Sequence, residues 1–181
     1  MTYDSPKTNF PIWRSMLFVP AHIEKFVDKA HQRGADAYIL DLEDSVPLAE
    51  KAAARQVVGA GAAKVSQSGS AVLVRINHPL RLAVRDLEAV VDPAISTIVI
   101  PKVSQAEQVK AIDSIIEELE TEQRMEPGHT RLIAQIESAD ALPHLDEIAT
   151  SSPRMLGMIL GSEDFSASAG MKPTPKGLFA P

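Results

Sequence analysis

Apolar residues collect in six short runs along the chain: MLFVP at 16–20, AYILDLE at 37–43, AVLVRIN at 71–77, ISTIVIPK at 95–102, RLIAQIE at 131–137 and MLGMILG at 155–161. Each run is almost continuously apolar instead of alternating. That is the pattern of strands covered on both faces, as in a parallel sheet wrapped by helices. Between the runs the spacing turns helical. Over 104–122, SQAEQVKAIDSIIEELETE, Val109, Ile112, Ile115, Ile116 and Leu119 share one stripe, with Ser104 placed as N-cap and Glu107 three residues on. Residues 22–33, 47–66, 80–91 and 138–149 read as further helices, with Pro47 at a permitted first-turn position and Gly34 able to close a helix before the second strand. Gly59-Ala60-Gly61 lies inside the 47–66 stretch, away from any strand end, so it lacks the context of a dinucleotide-binding loop and reads as a break in the helix.

The order is therefore a repeated βα unit, with strands starting at 16, 37, 71, 95, 131 and 155. Units of this kind join parallel neighbours through right-handed crossovers. Two architectures accept them: an open doubly wound sheet, or an eight-unit (β/α)₈ barrel. Six units fall two short of a barrel. The tail MKPTPKGLFAP would ordinarily introduce another helix, so the expected organisation is an arm over 1–13 and one α/β domain over 14–181 that stops before its last two strands.

Composition narrows the chemistry. The 181 residues are 45% apolar, and 18 basic against 24 acidic side chains give a net charge of −6, which argues against nucleic acid or anionic membrane surfaces as partners. With no cysteine there is no disulfide framework, zinc ribbon or thiolate nucleophile. The first residues, MTYDSPKTNFPIWR, lack the basic and apolar regions of a signal peptide, and no run approaches the roughly 18 apolar residues of a membrane span, so a cytoplasmic protein is expected.

In parallel α/β folds the carboxyl ends of the strands carry the chemistry. Here those ends are polar: Asp41, Glu43 and Asp44 after the second run, Arg75 and Asn77 in the third, Lys102 after the fourth, Gln135 and Glu137 in the fifth, and Ser162, Glu163 and Asp164 after the sixth. Glu137 and Asp164 stand one βα unit apart and can present oxygens to one point. Two carboxylates without a nearby histidine or cysteine suit a hard divalent cation such as Mg²⁺. Equally, each could simply salt-bridge Arg75 or Lys102. Arg75 suits a planar oxyanion, a substrate carboxylate or a developing enolate, but could also just pair with Glu43 or Asp44. Lys102 has the position of a Schiff-base amine or of a plain ion-pair partner. His22 and His78 stand at strand ends, and the five histidines show no zinc-ligand spacing.

Taken together, RSMLFVP (14–20), LDLEDSV (40–46), VRIN (74–77), IPK (100–102), QIES (135–138) and LGSEDFSASAG (160–170) resemble the citrate lyase beta-subunit-like family within the HpcH/HpaI aldolase superfamily. The resemblance runs from 14 to about 178. It implies a (β/α)₈ TIM-type barrel of which this chain supplies about six units, with Mg²⁺ held by Glu137 and Asp164. It also implies a substrate bound by Arg75, Glu137 and Arg14, and a catalytic charge network of Arg75, Glu43, Asp44 and Lys102. That placement makes Lys102 a member of the network and not an imine nucleophile.

Relatives of this kind cleave or form the bond between an acyl-CoA enolate and a carbonyl compound, with citryl-CoA, malyl-CoA and citramalyl-CoA among their substrates. The implied activity is a Mg²⁺-dependent carbon–carbon lyase yielding an acyl-CoA and a keto acid, in a homo-oligomer, trimeric or hexameric. Such relatives continue for roughly a hundred residues more, with the barrel's last strands and a segment that in malyl-CoA lyase-like members brings a catalytic aspartate to a neighbour's site. Two other readings stay open: an aldolase acting on a free keto acid, and a non-catalytic subunit that binds metal and ligand.

Overall fold

The computed structural model describes residues 11–171, so most of the expected arm and the proline-rich tail after Met171 lie outside the described residues. Six strands, β1 (Met16–Pro20), β2 (Ala37–Asp41), β3 (Ala71–Arg75), β4 (Thr97–Ile100), β5 (Arg131–Ile136) and β6 (Met155–Leu160), form one sheet in which every pair is parallel. They alternate with α1 (Glu24–Ala30), α2 (Lys51–Val65), α3 (Leu80–Val90), α4 (Ala106–Glu122) and α5 (Leu145–Ala149), and α6 (Ser162–Ser168) follows β6. The spatial order equals the chain order, with no reversal. A doubly wound sheet reverses at a switch point and carries helices on both faces, whereas an unreversed order keeps the helices on one. The architecture is the TIM-type α/β one, in six successive units.

Strand periodicity divides the apolar residues between two cores. Tyr38, Leu40, Val72, Val74, Ile98, Ile100, Leu132 and Ala134 pack outward against Val27, Ala54, Val58, Leu87, Val109, Ile112 and Ile116 of the helices. Their neighbours Ala37, Ile39, Leu73, Val99 and Ile133 point the other way into a smaller core that Trp13, Leu156 and Ile159 flank. All five residues of β2 are buried, which explains why its run could not alternate. Burying such side chains stabilises by roughly 1.5–3 kcal/mol each.

Several local expectations change. The cap of α4 is Gln105, not Ser104, and its reciprocal partner is Gln108, not Glu107. The Gln108 Oε1 reaches back to accept from the Ser104 N–H at 2.7 Å and the Gln105 N–H at 2.9 Å, while Glu107 faces solvent beside Lys110. The stretch 138–149 is a 3₁₀ turn at Ala139–His144 followed by the short α5, because Pro143 supplies no N–H for a continuous helix.

The glycine pair does not break its helix, since α2 runs unbroken through Gly59 and Gly61. Gly61 serves packing: a Cβ there would stand 3.3 Å from Val27 and 3.7 Å from Leu40, so its absence lets α2 sit close to α1 and the sheet. Finally, β6 carries a bulge. Leu132 pairs with Met155 but Ile133 pairs with Gly157, so Leu156 is an extra residue, and Gly157 and Ile159 take the inward face opposite Ile133 and Gln135.

At the carboxyl edge the strands end a residue or two before the apolar runs do, yet single backbone bonds carry the ladder onward. The N–H groups of Leu42, Ile76, Val103 and Gly161 donate to the carbonyls of Arg75, Val99, Gln135 and Ile136 at 2.9–3.2 Å. Polar side chains on these extensions are thereby fixed by the sheet. Among the described residues no helix is long and apolar enough to cross a membrane.

Candidate functional site

Asp41 and Arg75 are direct cross-strand partners at the ends of β2 and β3. The Arg75 fork donates through Nε to Asp41 Oδ1 and through Nη2 to Asp41 Oδ2, both at 2.7 Å. Asp41 also accepts from the N–H groups of Glu43 at 2.9 Å and Ser45 at 3.1 Å, which folds the β2 loop over the strand end. Thus anchored, Arg75 turns its remaining nitrogen, Nη1, toward Glu43 Oε2 at 3.3 Å and Asp44 Oδ2 at 3.5 Å. The Phe18 ring of β1 covers the guanidinium, its centroid 4.9 Å away. Burial opposes the Arg75 charge, but the Asp41 bonds outweigh it and raise the pKa.

The acidic loop is held from behind. Lys51 on α2 donates to the carbonyls of Leu42 and Glu43, both at 2.9 Å. Asn77 donates to the Leu42 carbonyl at 3.0 Å and is itself gripped by Asp86 of α3, which is wholly buried and bound to Arg55 at 2.5 Å. These groups fix Glu43 without touching the cavity.

Lys102 follows β4 with φ +53°, a left-handed conformation unusual for a side chain of this length. Its Nζ lies 2.6 Å from Glu43 Oε1, 3.3 Å from Asp44 Oδ1, 3.6 Å from Asp164 Oδ2 and 3.7 Å from Glu137 Oε2. Burial works against its charge, but the Glu43 hydrogen bond and the surrounding carboxylates more than offset this and hold the ammonium protonated.

Glu137 extends from β5 and is 5% exposed. Its Oε1 accepts a short bond from Gln135. Its Oε2 and the Oε2 of Glu43 are buried without a hydrogen-bond partner. Burial pushes the Glu137 carboxyl above its usual range; Lys102 pulls the other way, while Glu43 and Asp164 reinforce the rise. Burial likewise raises Glu43 against the pull of Lys102 and Arg75. Gly161 makes room for Glu137: a Cβ there would meet Glu137 Cγ at 2.5 Å and Oε1 at 3.0 Å. A cavity of about 720 Å³ opens over these groups, lined by Phe18, Arg75, Gln135, Glu137, Gly161 and Asp164 among others.

The structure therefore brings Glu43, Asp44, Arg75, Lys102, Glu137 and Asp164 together around one mouth. Arg14 is a correction to the expected set. It precedes β1 at the opposite, amino-terminal edge, where its exposed side chain binds Asp36 at 2.8 Å and cannot reach the cavity. His22 stands 3.5 Å from Glu50, and His78 lines a different groove with Leu80 and Pro101, so neither joins the mouth.

Sequence reading placed Asp41 and Gln135 among the polar strand ends without a specific role and did not single out Phe18 or Gly161. Their shared signal is parity: Phe18, Asp41, Arg75 and Gln135 occupy inward positions of their strands, in phase with Ile39, Leu73 and Ile133.

The donor set fits a hard cation. Five carboxylates, Asp41, Glu43, Asp44, Glu137 and Asp164, face two cations, Arg75 and Lys102, and the buried Oε2 atoms of Glu43 and Glu137 contact those cations without a hydrogen bond. Among the described residues no three acidic or histidine side chains are grouped so as to hold an ion by themselves.

Such an edge, an arginine-anchored acidic mouth where parallel strands end, defines the broad class: TIM-type α/β proteins with a charged site at the carboxyl ends of the strands. More particularly, the chain belongs to the HpcH/HpaI aldolase/citrate lyase family, whose profile matches residues 14–178. It is 36% identical to citrate lyase subunit beta of Leuconostoc mesenteroides subsp. cremoris over 165 residues, 91% of this chain and 55% of that protein. It is 34% identical to L-malyl-CoA/beta-methylmalyl-CoA lyase of Rhodobacter capsulatus over 168 residues, 89% of this chain and 52% of that protein. Among solved structures it is similar to protein CitE of Mycobacterium tuberculosis in complex with magnesium and acetate, with TM-score 0.60 and 30% identity, covering 87% of this chain and 58% of that one. The chain spans about half the length of these relatives.

Proposed function

We propose that this chain is the metal- and substrate-binding part of a Mg²⁺-dependent carbon–carbon lyase. It would cleave the CoA thioester of a hydroxy-di- or tricarboxylic acid, of the citryl, malyl or citramalyl type, into an acyl-CoA and a keto acid. The observation that carries this reading is the pair of buried carboxylate oxygens, Oε2 of Glu137 and of Glu43, that face Lys102 and the anchored Arg75 at 3.7 and 3.3 Å but accept no hydrogen bond. The lyase names of the relatives and the magnesium and acetate in CitE support it.

In the cleavage the substrate hydroxyl loses its proton to a base and becomes the keto-acid carbonyl. The carbon–carbon bond breaks, and its electron pair passes into the acyl-CoA enolate, which then takes up a proton. Glu137 and Asp164 would hold the ion, which when bound polarises the oxygens of the keto-acid portion. Arg75, locked by Asp41 and unable to lose its proton, presents a fixed positive charge to the reacting oxygens, a contribution of a few kcal/mol to the barrier. With no ion bound, Lys102 bridges Glu43 and Asp44, 2.6 and 3.3 Å from its Nζ. The carboxylates around Lys102 favour its protonated form, which is not nucleophilic, so the geometry speaks against a Schiff base at this residue.

The test is cleavage of an acyl-CoA panel by the full-length protein with Mg²⁺ or EDTA. Activity that needs CoA and Mg²⁺ is expected. Cleavage of the free acid alone would establish the aldolase reading. Binding of metal and thioester without product release would establish a non-catalytic subunit.

A further inference from the structure

We infer that Lys102 sets which ions can fill the acidic mouth: its ammonium is a tethered monovalent cation that a divalent ion must displace. The inference rests on the metal reading above and concerns this chain's own lysine. The Lys102 Nζ lies within 4 Å of four carboxylates, those of Glu43, Asp44, Glu137 and Asp164. It is therefore the cation around which the mouth is already gathered. Two of the same residues, Glu43 and Glu137, each keep one buried oxygen that faces a cation, Arg75 at 3.3 Å and Lys102 at 3.7 Å, without a hydrogen bond, so the ammonium pairs the cluster only loosely.

The backbone is built for this placement. Lys102 holds φ +53°, and its carbonyl accepts from Gln108 Nε2 at 3.4 Å, while the next N–H, of Val103, donates to the Gln135 carbonyl at 3.1 Å. Strain at one non-glycine residue, fixed from both sides, aims the side chain across the cavity. The side chain is one third exposed, which leaves it a path outward.

The selectivity follows from charge and tethering. An ammonium on its own chain competes at a high effective concentration. A free Na⁺ or K⁺ offers the carboxylates no more charge than the lysine does. A divalent ion doubles the Coulomb attraction and approaches oxygen at about 2.0–2.1 Å, much closer than an ammonium nitrogen. Only the divalent ion gains by the exchange, so Lys102 weakens metal binding overall but excludes monovalent ions.

The experiment is Mn²⁺ titration of the full-length protein by isothermal calorimetry and electron paramagnetic resonance, in low and high KCl. The proteins are the wild type, Lys102→Gln, Lys102→Arg and Glu137→Gln. Lys102→Gln is expected to bind Mn²⁺ about tenfold tighter or more at low salt, and to lose more of that affinity to KCl than the wild type does. Lys102→Arg, which keeps the charge, should stay near the wild type. If Lys102→Gln folds only when Mn²⁺ is added while Lys102→Arg folds without it, the same inference is upheld by circular dichroism.

Equal or weaker Mn²⁺ binding by Lys102→Gln overturns the inference, as does a variant that Mn²⁺ cannot fold while Lys102→Arg folds. If in those cases Glu137→Gln still abolishes wild-type binding, the metal reading survives alone. If the wild type binds no Mn²⁺, or binds it independently of Glu137, both fall.

Discussion

Two buried arginine–carboxylate clusters sit at opposite ends of the same strands, and their difference separates a brace from a working site. At the amino-terminal edge Arg154 donates to Asp113 at 2.6 Å, to both oxygens of Glu120 at 2.8 Å and to the Thr130 carbonyl at 3.0 Å. Glu120 accepts in addition from the N–H groups of Gly128 and Thr130. Both Glu120 oxygens are bonded, and although burial alone would raise its carboxyl, the Arg154 fork and those two N–H groups bring it down to about 2. At the carboxyl edge Glu137 is equally buried but moves the opposite way, upward, with Oε2 in a 3.7 Å ion-pair contact to Lys102 and no hydrogen bond. The same residue types are fully hydrogen-bonded at one end and loosely paired at the other. Buried charge is costly unless completed, which marks the loosely paired end as the candidate site.

The comparison breaks first at Glu137. Glu137→Gln in the full-length protein is expected to lower kcat/KM by about a thousandfold, roughly 4 kcal/mol, with the thermal midpoint within a few degrees of the wild type. An active variant would remove Glu137 from the site. Arg154→Met should do the reverse. Stranding Glu120 and Asp113 is expected to destabilise by about 3–4 kcal/mol in urea denaturation, while Mn²⁺ affinity of the folded protein stays unchanged.

Acid should reach the brace through the same carboxylate. The Glu120 pKa is lower folded than unfolded, so its contribution is complete above the unfolded value near 4.5 and is lost as pH falls toward about 2. The loss should total about 3 kcal/mol and be smaller in Arg154→Met, which keeps only the Gly128 and Thr130 N–H bonds to Glu120, as urea midpoints between pH 5 and 2.5 would show. The smallest effect belongs to Gly161→Ala. Its methyl would collide with Glu137 Cγ, and the expected result is about tenfold weaker Mn²⁺ binding, near 1.4 kcal/mol, with little change in urea midpoint.

Much of the fold is legible in the chain because parallel strands buried on both faces leave uninterrupted apolar runs, and β2 with its five buried residues is the clearest case. Local punctuation is less so. Gly59 and Gly61 mark a break in sequence, yet tertiary packing of α2 on Val27 and Leu40 keeps the helix whole. The cap of α4 shifts to Gln105 because a glutamine amide reaches backbone that a serine hydroxyl was expected to serve.

In the site, residues after strand ends converge because the sheet sets their spacing, which is why Glu43, Asp44, Lys102, Glu137 and Asp164 gather as expected. Arg14 does not, because a motif's membership says nothing about which end of the strand a residue occupies. Asp41 as the anchor of Arg75 depends on cross-strand register, a non-local property.

The bulge in β6 governs the clearance beside Glu137 from a strand's length away. Were Leu156 not an extra residue, each later side chain of β6 would swap faces, and the position beside Glu137 would fall to Leu160 instead of Gly161. A branched aliphatic group would then fill the aperture. Deleting Leu156 would remove the extra residue and leave Gly161 beside Glu137, so pairing Leu156 in register, and not shortening the strand, is what would close the top.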